Sequence, residues 1–311
     1  MEAAILEGIE CKVCKNRDPN AFIPKFHKTG IDIVQCKNCE FVFIPPYYRK
    51  TINYRTYKDE VVFKAIKEGN DWLKIQRHRL RYRKLKKYVP KGKLFDLGVG
   101  WGHFLYTGKL LGYEVDGIEI AEFPYKYARE YLHLPVENID FFEYNPKTDY
   151  YDMITMWDVL EHIDNCDAVI EKCHTMLKNG GYVVIHVPQI DSYVAKKLKE
   201  NWQAMGPDHV NYFSRKTITR FLEKNGFALV KIESSIELKH YLMYMFYEKK
   251  IKRKQGTTDN IVHSDRQEYY NKSVNRPKWQ LKIVVFLHDL ACNILSKLNI
   301  GDEMLVIARK K

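Results

Sequence analysis

No apolar run in this chain reaches the length of a membrane span, and no apolar h-region precedes Glu10. Both absences predict a soluble, cytoplasmic protein without a signal peptide. There is no internal repeat and no low-complexity tract, which argues against solenoid and tail-like architectures. Acids are short relative to bases: 39 Asp and Glu stand against 51 Lys and Arg, a formal net charge of +12. Such a balance attracts nucleic acid, phosphorylated carriers or an acidic membrane surface, or it reflects solvated lysines. The 311 residues, 45% of them hydrophobic, allow one large or two modest domains.

The chain is organised around Lys93 to Phe104, KLFDLGVGWGHF. An apolar run stops at Gly98, Gly100 and Gly102, and a helical pattern then begins. A buried strand leads into a helix N-terminus in this way, because glycine permits positive φ and close approach of a ligand. A dinucleotide fingerprint would need its third glycine at position 103, which is His103. About 20 residues on, a second short strand, Val115 to Ile118, ends in Glu119. A carboxylate there suits the two hydroxyls of a ribose.

Four of the seven cysteines form two pairs, Cys11-x-x-Cys14 and Cys36-x-x-Cys39. Each pair lets two thiolates reach one tetrahedral ion, and the segment between them alternates as short strands do, with Gly30-Ile31-Asp32 suited to the turn. The pattern predicts a zinc ribbon over residues 1–46 with a closed, structural site; two disulfides are the alternative, disfavoured in a cytoplasmic compartment. Cys166, Cys173 and Cys292 read as core or surface thiols. Pro45-Pro46 then separates the ribbon from a helical linker over 47–92, whose second half (Arg77 to Lys87) is densely basic. That run is either a solvated helix face or a phosphate-binding surface interleaved with aromatics.

Strands alternating with helices continue to the end of the chain, with strands at 113–119, 151–157, 182–187, 227–232 and 301–309, so the fold class is α/β with a doubly wound, largely parallel sheet. Residues 236–300 form a helical insertion before the last strand. It contains an aromatic stretch, Tyr241 to Tyr247, and an amphipathic helix from Trp279 to Leu298 with Lys282, Asp289, Asn293 and Ser296 near one face. It is either a cap packed on the sheet, or a substrate lid or lipid contact.

The D-x-G-x-G-x-G loop from Asp96, Glu119, the DVLEHI segment after the fourth strand, LKNGGYVVI and the PDHVNYF–KNGF stretch together resemble the class I S-adenosylmethionine (SAM) methyltransferases, over about 93–235 and 301–311. The resemblance implies a Rossmann-like seven-stranded methyltransferase domain over 93–311 with an antiparallel last strand. It implies SAM held at its methionine end by Asp96, Gly98, Gly100 and Gly102, on its ribose by Glu119 with Ile120 beside it, and at its adenine by Asp140 and Phe141, with Trp157 closing the cofactor set. Trp101 is bulkier than the residue many members carry in this loop.

Methyl transfer to a hydroxyl needs alignment and a base. His162, beyond the fourth strand, and His209, in Pro207-Asp208-His209-Val210, are the candidates, with His209 preferred; both could instead be loop residues that satisfy backbone groups. Asp158-x-x-Glu161-His162 with His209 also resembles the divalent-metal clusters of some small-RNA and ubiquinone-pathway O-methyltransferases, although Glu-His occurs in metal-free members as well, so magnesium is a minor expectation. The expected activity is methylation of a small-molecule or carrier-linked acceptor, foremost a hydroxyl of a sugar or lipid-like metabolite. The alternatives are an RNA methyltransferase, for which no Asn/Asp-Pro-Pro-aromatic motif of base N-methylation is present, and a non-catalytic SAM-fold binding module.

Overall fold

The computed structural model describes residues 6, 8–49, 53–56, 71–235, 277–298 and 301–311; the first half of the expected linker helix and the Tyr241 to Tyr247 stretch lie outside them. A seven-stranded sheet dominates. Its strands are β4 (Lys93–Leu97), β5 (Glu114–Ile118), β6 (Val136–Glu137), β7 (Tyr151–Trp157), β8 (Leu177–Pro188), β10 (Phe227–Ser235) and β11 (Glu303–Lys310), in the spatial order β10-β11-β8-β7-β4-β5-β6. The strands from β8 to β6 run parallel, and β11 is antiparallel to both β8 and β10. This is the Rossmann-like sheet with the reversed last strand that the sequence predicts.

Register decides what meets at the C-terminal edge. Leu97 pairs with Ile118 on one side and with Met156 on the other, and Trp157 pairs with His186. Gly98, Glu119, Trp157 and His186 therefore leave the sheet at one level. Strand order reverses about β4, between β5 and β7, and crevices for ligands open at such a switch point. One departure from the expected elements is local. The Asn179-Gly180-Gly181 turn is taken up inside β8 as a bulge, since Tyr151 pairs with Leu177 but Met153 with Tyr182.

Helices cover both faces. On one side lie α1 (Asp71–Leu85) and α2 (His103–Leu110), whose Tyr82, Leu85, Phe104 and Leu105 are buried against Leu94 and Val115. Helix α3 (Glu122–Lys126) follows β5 and runs on as a π-turn to Tyr131. On the other side α4 (Cys166–Met176) and α6 (Arg215–Lys224) pack on β7, β8 and β10; α6 starts with a capping box in which Ser214 and Thr217 bond reciprocally. Helix α5 (Tyr193–Leu198) lies between β8 and the short strand β9 (Asn211–Tyr212), and α7 (Lys278–Lys297) packs along α1 and β10.

The N-terminal ribbon is built from β1 (Phe22–Lys28), β2 (Ile31–Cys36) and β3 (Val42–Phe43). The hairpin turn is Thr29-Gly30, both at positive φ (51° and 79°), one residue earlier than the sequence suggested. The ribbon does not stand apart. Strand β3 pairs antiparallel with β9, making a four-stranded sheet that includes a piece of the larger domain. Phe41 lies 5.1 Å from Phe213, and the cysteine end of the ribbon joins the same core as β7, β8 and α6. Its other face packs Ile31, Ile33 and Ile44 with Val194, Trp202 and Met205. Pro45-Pro46 breaks the chain but does not separate two cores.

Candidate functional site

The glycine loop forms the floor of a cavity of about 280 Å³. Gly98 and Gly100 take positive φ (76° and 54°). A Cβ at Gly98 would meet Val159 at 2.6 Å, whereas one at Gly100 would face open space, so the loop leaves room above its second glycine. Glu119 is buried and spans the loop: one carboxylate oxygen accepts from the Gly100 N–H (2.6 Å), the other from the Ala121 N–H (2.8 Å). Burial raises its pKa, and those N–H groups oppose the rise. An ionised carboxylate has about four lone-pair sites, and the Ile120 N–H also bonds this group, so only part of that acceptor capacity stays open. Asp96, on the cavity wall, is pushed up to about 8, chiefly by burial, with the Thr155 hydroxyl opposing and the charge of Glu119 adding to it.

The roof is α1. Lys74, Arg77, His78 and Arg81 line the cavity opposite the glycines, and the Arg81 guanidinium stacks over the Trp157 ring at 4.1 Å from its centroid. His78 Nδ1 is enclosed without a hydrogen-bond partner, and burial together with Arg81 and the other nearby cations holds this imidazole neutral. These four side chains are not among the expected site residues: Lys74 precedes the basic run of Arg77 to Lys87, and charge density within that run does not separate one helix face from another. Their spacing of i, i+3, i+4 and i+7 was the available signal: it gathers them on one helix face.

Further along the edge, Ile120 is half-buried, and Asp140 turns its carboxylate to the Phe142 N–H (2.8 Å). Phe141, expected at an adenine ring, is buried in the core with the Lys172 ammonium 4.9 Å from its ring centroid; the exposed ring of this turn is Phe142.

His162 and His209 come together, their rings 4.6 Å apart at 77°. His162 Nδ1 lies 2.9 Å from the Asp208 carbonyl and 3.2 Å from the Tyr54 hydroxyl. A carbonyl only accepts, so Nδ1 carries a proton, and in the neutral form of the ring Nε2 is then the acceptor. Tyr54 arrives from the segment after the ribbon, which no sequence pattern pointed to. Burial and the carboxylates of Asp208 and Glu161 push it up to about 12, so it stays a hydroxyl. Burial and the facing His162 hold His209 down to about 4. Glu161 is fully buried with neither carboxylate oxygen hydrogen-bonded, and its ligand atom lies within 4.8 Å of those of His162 and His209. Asp158 is not part of this group. Its backbone is left-handed (φ 58°) and its carboxylate bonds His186 Nδ1 at 2.7 Å, while His186 Nε2 faces Glu303 at 3.3 Å.

The four ribbon cysteines converge: Cys11 and Cys39 sulfurs are 3.4 Å apart, Cys14 and Cys36 3.6 Å, and all four lie within 4.8 Å of one another. Tetrahedral zinc with Zn–S near 2.3 Å requires S···S distances of about 3.8 Å. The donor set and spacing fit that ion.

A family model described as a methyltransferase domain matches residues 73–232, just over half of the sequence. The chain belongs to the methyltransferase-domain family. The match takes in most of α1 and the sheet strands up to β10, but not β11. With its sheet order and glycine loop, this methyltransferase is of the class I, SAM-dependent kind. An uncharacterized protein of Methanocaldococcus jannaschii is 27% identical over 154 residues, 49% of this chain and 72% of that protein. The ubiquinone biosynthesis O-methyltransferase of Acinetobacter baylyi is 29% identical over 102 residues, 29% of this chain and 41% of that enzyme, so the methyltransferase spans less than half of that relative. A crystal structure of a SAM-dependent methyltransferase from Thermotoga maritima, described as a possible histamine N-methyltransferase, aligns with a TM-score of 0.49 at 16% identity, covering 81% of this chain and 99% of that one. Among the described residues, no helix is long and apolar enough to cross a membrane.

Proposed function

We propose that this methyltransferase transfers a methyl group from SAM to a hydroxyl of a small-molecule acceptor, with His162 as the base. In this reading the methionine end of SAM lies on Gly98, Gly100 and Gly102 beside Asp96, with its carboxylate toward Lys74, Arg77, His78 and Arg81. The ribose bonds the remaining acceptor sites of Glu119 next to Ile120, Trp157 borders the sulfonium, and Asp140 meets the adenine with Phe142 as the neighbouring ring. The acceptor oxygen attacks the methyl carbon in line, the S–CH₃ bond breaks, and the hydroxyl proton passes to His162 Nε2, leaving S-adenosylhomocysteine. A structural zinc on Cys11, Cys14, Cys36 and Cys39 completes the reading.

The observation that carries it is the tautomer of His162: Nδ1 is tied to the Asp208 carbonyl and Tyr54, so a lone pair remains on Nε2 at the edge where β7 delivers Trp157 to the cofactor cleft. The test is S-adenosylhomocysteine release with phenolic, sugar and amine acceptors. His162→Ala should lower turnover on the active hydroxyl acceptor by about 10²–10⁴-fold with SAM affinity unchanged. Full turnover in that variant, or transfer to amines alone, would overturn it.

One observation favours a second reading, a divalent cation on Glu161, His162 and His209: both Glu161 oxygens are buried and unsatisfied, and a buried unpaired carboxylate is costly. Such an ion would polarise the acceptor hydroxyl. Loss of activity to a chelator and recovery with magnesium would select this version; indifference to chelator would leave the unassisted imidazole.

A further inference from the structure

Helix α7 leaves much of its apolar surface outward. Asp289, Asn293 and Ser296 are half-buried beside Val285 and Cys292, with Asp289 bonded to Arg83 of α1 at 2.7 Å. Trp279, Ile283, Phe286, Leu290, Ile294 and Leu298 point the other way, each between 48% and 66% exposed. They recur at helical spacing and form one stripe along a helix about 30 Å long. Large apolar side chains scattered singly on a surface mean little, but a contiguous stripe of this size marks a contact.

What lies beside the stripe says what kind of contact. Arg83 meets α7, Arg79 lies one turn before it on α1, and Lys86 and Lys87 follow in the turn that ends the helix; all four are exposed. Lys282 and Lys297 of α7 are exposed as well. The acid facing this row, Asp289, is already paired with Arg83 and largely covered. A second copy of the chain would bring two such basic rims together, and like charges repel. A surface carrying dense negative charge would instead be attracted to the rim and accept the stripe between its charges. No described helix can span a bilayer, so the geometry is that of a helix lying in the interface plane, apolar side down and cations at the headgroups.

We propose that α7, flanked by the basic face of α1, docks this protein on an anionic lipid bilayer. The surface is independent of the acceptor chemistry above, and its test reads no catalysis. The full chain is floated with vesicles of phosphatidylcholine alone and of phosphatidylcholine mixed with phosphatidylserine. Binding is expected to the mixed vesicles, weakening steeply as salt rises. The pair Ile283→Ser and Phe286→Ser should reduce partitioning by tenfold or more. Arg79→Glu with Lys86→Glu should abolish the preference for phosphatidylserine and flatten the salt dependence. Zinc content and thermal unfolding matching the parent protein show that each variant is folded. Equal binding by the serine pair, or no binding to either vesicle, overturns the proposal. A lipid-free dimer that the serine pair dissolves overturns it in favour of self-association. Protection of a Phe286→Cys thiol from a hydrophilic maleimide in the lipid-free monomer, read by peptide mass, overturns it in favour of cover by another part of the chain.

Discussion

Replacing Cys36 by serine should disturb the acceptor side of the site and spare the cofactor side. The path is short and continuous. Phe43 pairs with Asn211 and Val42 with Tyr212; the Ile44 N–H donates to Val210, and the Val210 N–H donates to the carbonyl of Glu161 at 2.8 Å. Asn211 in turn bonds the carbonyls of Leu160 and Ile163. The ribbon strand is thus the outer rail of the two loops that carry His162 and His209. The cavity over the glycine loop draws on β4, the end of β7, α1 and α2, none of which pairs with the ribbon.

The magnitude follows from burial. Phe41, Val42, Phe43 and Ile44 are all at most 3% exposed, and each loses roughly 1.5–3 kcal/mol if returned to water. The sum, roughly 6–12 kcal/mol, rivals the whole net stability of an ordinary domain, about 5–15 kcal/mol. A ribbon that opens without its metal therefore cannot leave β9 as it was. Hydrogen exchange followed by mass spectrometry is the assay. Amides of 207–213 and 160–163 should exchange at least a hundredfold faster in Cys36→Ser, equivalent to about 2.7 kcal/mol, while peptides covering 94–119 keep their protection and SAM affinity stays within about threefold. Elemental analysis should show one zinc per chain lost alongside. Unchanged protection of 207–213 in protein shown to lack zinc would refute the coupling, and the ribbon would then be an independent module as its proline break suggested.

Two other outcomes are expected. Glu119→Ala should weaken SAM by at least a hundredfold in calorimetry, because it removes charge-assisted hydrogen bonds worth roughly 1.5–3 kcal/mol each; unchanged affinity would sink the ribose assignment. The pH dependence of stability should carry the signature of His186: burial alone would lower its pKa, but Asp158 and Glu303 outweigh that and raise it to about 10. An unfolded histidine titrates near 6.5, so the folded state holds a proton that the unfolded state has lost. Stability from this group should be full below about pH 6.5 and decline, by under about 5 kcal/mol, as pH rises to about 10. His186→Gln should flatten that decline in denaturant titrations, and an unaltered slope would mean that the carboxylates do not hold the proton.

The parts of this protein that were legible in the sequence are those whose signal is local. The glycine loop, Glu119 and the strand YDMITMW each sit within a few consecutive residues, where a strand, a turn and a helix start impose residue types directly. The paired cysteines are equally local, since each Cys-x-x-Cys already has half a tetrahedron. What escaped was long-range pairing. Nothing in Val42-Phe43 announces Asn211-Tyr212 as its partner, so the ribbon read as detached. Tyr54 reaches His162 from more than a hundred residues away. Asp158 belongs to a plausible metal pattern by spacing, yet β8 and β11 bring His186 and Glu303 to the same edge and capture its carboxylate.

Orientation is the other quantity that spacing does not determine. The sequence gathers Lys74, Arg77, His78 and Arg81 on one face of α1, but whether that face meets solvent or a cavity depends on the glycine loop beneath it. Helix α7 makes the same point in reverse. Its period separates a polar side from an apolar side, and the ordinary inference turns the apolar side inward. Here the flank of α7 that is half-buried carries Val285 and Cys292 beside Asp289, Asn293 and Ser296, and Arg83 of α1 meets Asp289. A helix that is apolar over much of its circumference can turn only one flank to its neighbours, and its period alone does not say which.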